Sequence, residues 1–190
     1  MKKNPKIKLV FIGRNDTGKT MFCNFLENGY EHLNFGKYIS TPGASYHKKK
    51  LIYNNQNYFF NIWDTAGLEK YSSLMNFFYR DADIIFILFN SHDRKSFERA
   101  KRDLESVKMV CDNKNVVYIL VENKYDLDIN SIENENIIYD EEISEYVEEN
   151  NIIFSHLSLL ENYSNGFNEL FIKAIKEYNK KKKQWNNILF

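Results

Sequence analysis

The chain has 190 residues, is 43% hydrophobic, and balances 26 basic against 26 acidic residues for a formal net charge of zero. That length and apolar content suit one globular domain with a buried core and exclude wholesale disorder. The charge balance gives no general case for a nucleic-acid partner, and the lack of any long uninterrupted apolar run excludes an ordinary membrane-spanning helix.

Met1-Lys2-Lys3-Asn4-Pro5 lacks Gly at position 2 and an apolar stretch, so it reads neither as a myristoylation site nor as a secretory signal. Lys6 to Ile12 alternates, is rich in β-formers and stops at Gly13, which predicts a strand. Thr20 to Glu27 has helical spacing, with Phe22, Phe25 and Leu26 on one side. A polar loop spans about Asn28 to Ala44. Two strands follow, near Ser45 to Tyr53 and Tyr58 to Asp64, turned back on each other by Asn54 to Asn57. Ile84 to Phe89 and Val116 to Val121 are apolar throughout, as in strands covered on both faces, and Ile152 to Leu157 is a third such candidate. Helical patterns separate them at about Arg94 to Cys111, Asp140 to Asn150 and Asn168 to Lys180. Asp128 to Asn136 is rich in Asn and Glu and reads as an exposed insertion. Strands alternating with helices predict a mostly parallel sheet with right-handed crossovers, and the hairpin adds one antiparallel edge. Cys23 and Cys111, both in predicted helices, read as reduced, partly buried thiols.

Gly13-Arg14-Asn15-Asp16-Thr17-Gly18-Lys19-Thr20 fits the pattern G-x-x-x-x-G-K-[ST] in full, with a predicted strand before it and a helix after it. Gly13 and Gly18 let the backbone curl so that successive N–H groups point at phosphate oxygens. The helix start adds the positive end of its dipole. Lys19 is expected to reach the β- and γ-phosphates, and the Thr20 hydroxyl to ligate Mg²⁺. The nucleotide cradle expected from this stretch is Gly13, Asn15, Asp16, Thr17, Gly18, Lys19, Thr20 and Met21.

A phosphate loop does not choose a base. Asn123-Lys124-Tyr125-Asp126 does, lying just past the apolar strand Val116 to Val121, where open α/β sheets bind ligands. Asp126 offers acceptors to the N1–H and exocyclic amine of guanine. Adenine presents neither donor there, and a buried unpaired carboxylate is costly. Asn123 and the Lys124 stem would hold the loop and cover the base. Trp63-Asp64-Thr65-Ala66-Gly67 closes the other side: Asp64 to orient Mg²⁺-bound water, Gly67 to bring a backbone N–H to the γ-phosphate. Thr41, in the loop after the first helix, is the candidate for a second hydroxyl on Mg²⁺.

These motifs, in this order, resemble the Ras superfamily of small GTPases from about Lys6 to Asn179. Tyr38-Ile39-Ser40-Thr41, Asn61-Ile62-Trp63-Asp64-Thr65-Ala66-Gly67, Phe78-Tyr79-Arg80 and Asn168-Glu169-Leu170-Phe171 resemble its Rab branch in particular. The resemblance implies a single P-loop GTPase domain over residues 1–179 and a basic tail over 180–190. Its fold would be α/β, a six-stranded mostly parallel sheet with one antiparallel edge strand and helices on both faces. The implied function is a guanine-nucleotide-binding switch that binds GTP or GDP with Mg²⁺, hydrolyses GTP slowly and regulates vesicle traffic through effectors. The loops around Thr41 and Gly67 would be ordered by the γ-phosphate and Mg²⁺ and relax after hydrolysis. Lys19, Thr41, Gly67 and the position of Leu68 carry the implied chemistry. Ser158, Leu159 and Leu160 match the family's second guanine loop. Tyr46, Trp63 and Phe78 match the aromatics with which Rab proteins read partners: effectors, an exchange factor and an activating protein. A monomer is expected, cytoplasmic and peripheral on the cytosolic face of an endomembrane.

The chain departs from the family pattern at several points. Leu68 stands where the family usually has the Gln that orients attacking water, and Leu can neither donate nor accept a hydrogen bond. Asn15 adds a side chain near the γ-phosphate. Intrinsic hydrolysis is therefore expected to be slow, and the alternative is a non-hydrolysing, constitutively GTP-bound adaptor. Tyr30 and Phe35 are both candidates to stack on guanine. Leu160 stands where the family's Ser-Ala-Lys loop has its lysine, and Pro42 to Tyr46 differs from the usual Rab sequence. The end, Lys180-Lys181-Lys182-Lys183-Gln184-Trp185-Asn186-Asn187-Ile188-Leu189-Phe190, has no cysteine to prenylate. It reads either as a solvated helix end or as a weak peripheral contact with an anionic membrane.

Overall fold

A computed structural model describes residues 4–28, 43–65, 72–111, 115–124, 137–158 and 165–188. In chain order the elements are β1 (Lys6–Gly13), α1 (Lys19–Asn28), β2 (Ser45–Tyr53), β3 (Gln56–Asp64), α2 (Ser72–Tyr79), β4 (Ile84–Asn90), α3 (Arg94–Val110), β5 (Val117–Asn123), α4 (Asp140–Asn150), β6 (Ile153–His156) and α5 (Asn165–Ile188). They build one six-stranded sheet in the order β2-β3-β1-β4-β5-β6. All neighbouring pairs are parallel except β2 with β3, so the expected mostly parallel sheet with one antiparallel edge is what the sequence forms.

β1 is apolar from Leu9 to Ile12 and β4 from Ile84 to Phe89 because each face there has its own helices. Along β1, Ile7, Leu9 and Phe11 enter a core that contains Phe22 of α1 and Phe167, Phe171 and Ile175 of α5. Val10 and Ile12 enter the opposite core, against Met75 of α2, Phe97 and Leu104 of α3, and Ile143 of α4. Aromatic rings fill the first core: Phe22 and Phe167 have centroids 4.1 Å apart, and Phe11 meets Phe86 edge-on at 5.2 Å. Burial at this scale, about 1.5–3 kcal/mol for each fully buried large side chain, holds the sheet between its two helical layers.

Four local features differ from the sequence expectation. The hairpin turns on Asn54 and Asn55 alone, both with positive φ (49° and 57°), and β3 begins at Gln56. Asn tolerates that left-handed backbone, and a two-residue turn of this hand matches strand twist. Helix α2 was not foreseen, because Ser72–Tyr79 is short and too uniformly apolar over Leu74–Tyr79 to show a period. β6 is half-buried rather than covered on both faces, since it lies at the sheet's edge. Helix α5 begins before Asn168 and continues through residue 179 to Ile188; lysine is a good helix former. Its extension is tied to the sheet: the Lys181 ammonium donates to the Val116 carbonyl at 2.6 Å, and Lys182 pairs with Asp83 at 3.4 Å. The Asp128 to Asn136 insertion lies outside the described residues.

Candidate functional site

The carboxyl ends of β1, β3, β4 and β5 converge at one edge of the sheet. There Gly13, the last residue of β1, has φ 139°, and a Cβ at this position would lie 2.2 Å from the Leu88 carbonyl oxygen. Only glycine lets the chain leave β1 so close to β4. Asp16 and Gly18 also have positive φ, 65° and 92°, so the loop curls back on itself. The Thr17 hydroxyl donates to the Arg14 carbonyl at 2.8 Å. Lys19, only 3% exposed, donates from its ammonium to the carbonyls of Gly13 (2.7 Å) and Arg14 (2.9 Å). A buried cation is thus held inside the curl by backbone oxygens at the start of α1. On the outer side, the Arg14 guanidinium pairs with the carboxylate of Asp93, which also caps α3 by accepting from the Ser96 N–H.

β3 brings the second segment. The Thr20 hydroxyl donates to Oδ2 of Asp64 at 2.7 Å, and Asp64 is fully buried. The Thr65 hydroxyl donates to the Phe11 carbonyl at 2.8 Å, fixing where the chain leaves β3. A hydroxyl and a carboxylate so placed suit Mg²⁺, a hard ion that takes few protein oxygens and completes its shell with water and phosphate. Among the described residues no group of three or more His, Cys, Asp or Glu could hold a metal.

β5 brings the third. Asn123 is buried; its Nδ2 donates to the Thr17 carbonyl at 2.9 Å, while its Oδ1 is buried with no hydrogen-bond partner among the described residues. Lys124 has φ 63° and its ammonium lies 3.0 Å from Oδ2 of Asp16. The Ser91 N–H donates to the Asn123 carbonyl at 3.1 Å and its hydroxyl to the Lys124 carbonyl at 2.9 Å. From the other side the Leu157 N–H donates to the Glu122 carbonyl at 2.7 Å. The end of β5 is therefore clamped to β4, β6 and the phosphate loop at once.

Several of these groups were not singled out from the sequence. Arg14, Ser91 and Asp93 act through tertiary neighbours and leave no local signal. Glu122 does leave one, a lone acid closing the apolar run Val116 to Val121. It is 5% exposed, and burial, with the negative charge of Asp140 second, pushes its carboxyl up to about 7. Cys23 and Cys111 are both buried and not joined in a disulfide. Burial first, then the charge of Asp64, raises the Cys23 thiol well above its ordinary value, which makes it unreactive.

Of the expected site residues, Gly13, Thr17, Gly18, Lys19, Thr20, Asp64, Asn123 and Lys124 meet at this edge. Asn15 and Asp16 are exposed on the loop. The Met21 side chain is partly buried against the core. Ser158 is buried just beyond β6. Tyr30, Phe35, Thr41, Gly67, Leu68, Asp126, Leu159 and Leu160 lie outside the described residues. Away from the loop, Tyr46, Trp63 and Phe78 form one aromatic surface, with centroids 4.9 Å apart for the first pair and 5.4 Å for the second. Phe77, 71% exposed, extends it.

Comparison with known proteins agrees with this layout. The model of the Ras family matches residues 8–180. The chain is similar to the Ras-related protein RABF2a of Arabidopsis thaliana, 34% identical over 158 residues that cover 82% of this chain and 74% of the relative. It is also similar to the Ras-related protein Rab-5A of Dictyostelium discoideum, 31% identical over 180 residues, 93% of this chain and 84% of that one. With the Ras-related protein Rab-17 of Mus musculus it shares 30% identity over 156 residues, 82% of this chain and 69% of the relative.

Proposed function

Because this chain belongs to the Ras family of small GTPases, in its Rab branch, we propose that it is a guanine-nucleotide switch of membrane traffic with slow intrinsic hydrolysis. The observation that carries the reading is the bond from Asn123 to the Thr17 carbonyl, joined by the Lys124–Asp16 pair. Together they put the Asn-Lys segment against the phosphate loop, so one nucleotide can touch both. In this reading Asp126, two residues past Lys124, selects guanine. The loop N–H groups and Lys19 bind the phosphates, and Thr20, Asp64 and Thr41 hold Mg²⁺. When bound, Mg²⁺ neutralises charge on the phosphate oxygens. Gly67 donates its N–H to the γ-phosphate, and Tyr46, Trp63 and Phe78 meet the effector.

Leu68 sets the hydrolysis rate in this account. It contributes no group that orients water, so turnover depends on what an activating protein supplies; an arginine donated in trans is worth roughly 10³–10⁵ in rate. The nucleotide that co-purifies with the protein tests the first half, guanine supporting it and ATP or ADP overturning it. Single-turnover hydrolysis with and without cell extract tests the second. GDP formed only with extract fits a slow switch. GDP formed in neither favours the adaptor reading that Leu68 and Asn15 motivate. Leu68→Gln is expected to raise the intrinsic rate.

A further inference from the structure

The outward face of the β2–β3–β1 sheet has an unusual composition. Strand register sets its rows: Tyr46 opposite Trp63, Lys48 opposite Asn61, Lys50 opposite Phe59, and Ile52 opposite Asn57. β1 continues them, with Val10 beside Trp63, Lys8 beside Asn61 and Lys6 beside Phe59. Two consecutive rows therefore read Lys48–Asn61–Lys8 and Lys50–Phe59–Lys6. No outward position of these three strands is acidic, in a chain whose charges cancel as a whole.

Lys6, Lys48 and Lys50 are exposed, and the Lys8 ammonium donates to the Arg80 carbonyl at 2.6 Å. Two of the ammonium groups lie over rings: that of Lys48 is 5.7 Å from the Tyr46 centroid and that of Lys50 5.9 Å from the Phe59 centroid. Between the first lysine row and the Tyr46–Trp63 row, Lys8, Tyr46, Asn61 and Trp63 line an open cavity of about 320 Å³. The Tyr46 hydroxyl donates to Oδ1 of Asn61 at 2.7 Å, which fixes its wall.

We propose that this face docks an extended acidic segment of a partner protein, its carboxylates on the lysine rows and one large apolar side chain in the Tyr46–Trp63 cavity. The inference rests on the switch reading above for when the face is used, and goes beyond it in naming the partner's chemistry. Spacing favours a peptide. Rows two residues apart along a strand are about 6.8 Å apart, the spacing of side chains i and i+2 on an extended chain. A segment with acids at alternate positions matches the rows one for one, and the lysines steer its approach. A bilayer presents no such period.

The test is a titration of isotope-labelled full-length protein, loaded with a non-hydrolysable GTP analogue. The probe is a short synthetic peptide of alternating Glu and Val ending in Phe. Amide shifts on β1, β2 and β3, lost on raising salt and weakened at least about tenfold in Lys48→Glu/Lys50→Glu, are the expected result. That variant's folding is checked by its retained nucleotide. Equal binding of the Gln-for-Glu peptide, or shifts confined to the α5 lysines, would overturn the proposal. So would recruitment to phosphatidylserine vesicles that needs Lys48 and Lys50 while the peptide stays unbound, or shifts that grow with protein concentration alone. Equal peptide affinity in the GDP and GTP-analogue states would instead count against the switch reading and leave the acidic docking intact.

Discussion

The Lys124 ammonium lies 3.0 Å from the Asp16 carboxylate, and both residues have left-handed backbones. The pair joins the end of β5 to the phosphate loop across the mouth of the site. It also offsets a negative charge in a loop built to receive phosphates. As an exposed pair it adds little to folding, about 0–1 kcal/mol. Its larger effect is on the ligand. Lys124→Met keeps the stem and removes the charge, leaving Asp16 to repel the nucleotide. Release of labelled GDP is expected to speed up by about five- to thirtyfold, since one or two kcal/mol corresponds to that factor. Adding Asp16→Asn, which tolerates the left-handed backbone, is expected to recover part of the loss. Additive single effects would mean that the two residues act independently.

Lys19 is held by two loop carbonyls. Lys19→Ala removes the cation from a buried position and leaves both carbonyls without it. Nucleotide is expected to be lost on gel filtration, and Tm to fall as ligand linkage disappears. At ligand concentrations near a thousandfold over Kd, that linkage is worth about 4 kcal/mol. Retained nucleotide and an unchanged Tm would remove Lys19 from the site.

Gly13 cannot bear a side chain. Gly13→Ala would drive a Cβ into the Leu88 carbonyl and force a φ of 139° on alanine. β1 would have to separate from β4 at the residue where the loop begins. A destabilisation of at least about 3 kcal/mol is expected, read from urea unfolding. A variant as stable as the parent would show that the loop relaxes freely.

Glu122 gives a pH dependence of definite sign. Its carboxyl holds a proton up to about 7 in the folded chain, while in the unfolded chain it ionises in the ordinary glutamate range near 4.3. Between those values the folded state binds more protons, so stability falls as pH rises through the window. Below the window nothing is lost; above it the cost is complete, on the order of 4 kcal/mol. Glu122→Gln is expected to flatten the decline in Tm between about pH 5 and about pH 8. An equally steep decline in the variant would assign it to other groups.

The phosphate loop, the strands with their mostly parallel sense and most helices were legible because each leaves a local pattern, whereas the strand order β2-β3-β1-β4-β5-β6 leaves none. Gly13 and Gly18 sit at a fixed spacing, β4 is apolar throughout, and α3 has a clear polar face. What escaped depends on neighbours distant in sequence. The Arg14–Asp93 pair spans loop and helix. The Ser91 bonds to the β5 end follow from strands pairing side by side. Helix α2 escaped for another reason: Leu74–Tyr79 has too few polar residues to set a period. The lysine rows are visible only once register aligns Lys48 with Lys8 and Lys50 with Lys6.

The bond from Asn123 to the Thr17 carbonyl joins groups 106 residues apart. While the chain emerges from a ribosome, the phosphate loop is made early, but its clamp is synthesised only after β4. A nascent chain that has exposed α1 but not yet β5 lacks that clamp, so firm capture of nucleotide belongs to the later part of synthesis. Nucleotide would then close over strands already made, β1 to β5, rather than act as a template for their pairing.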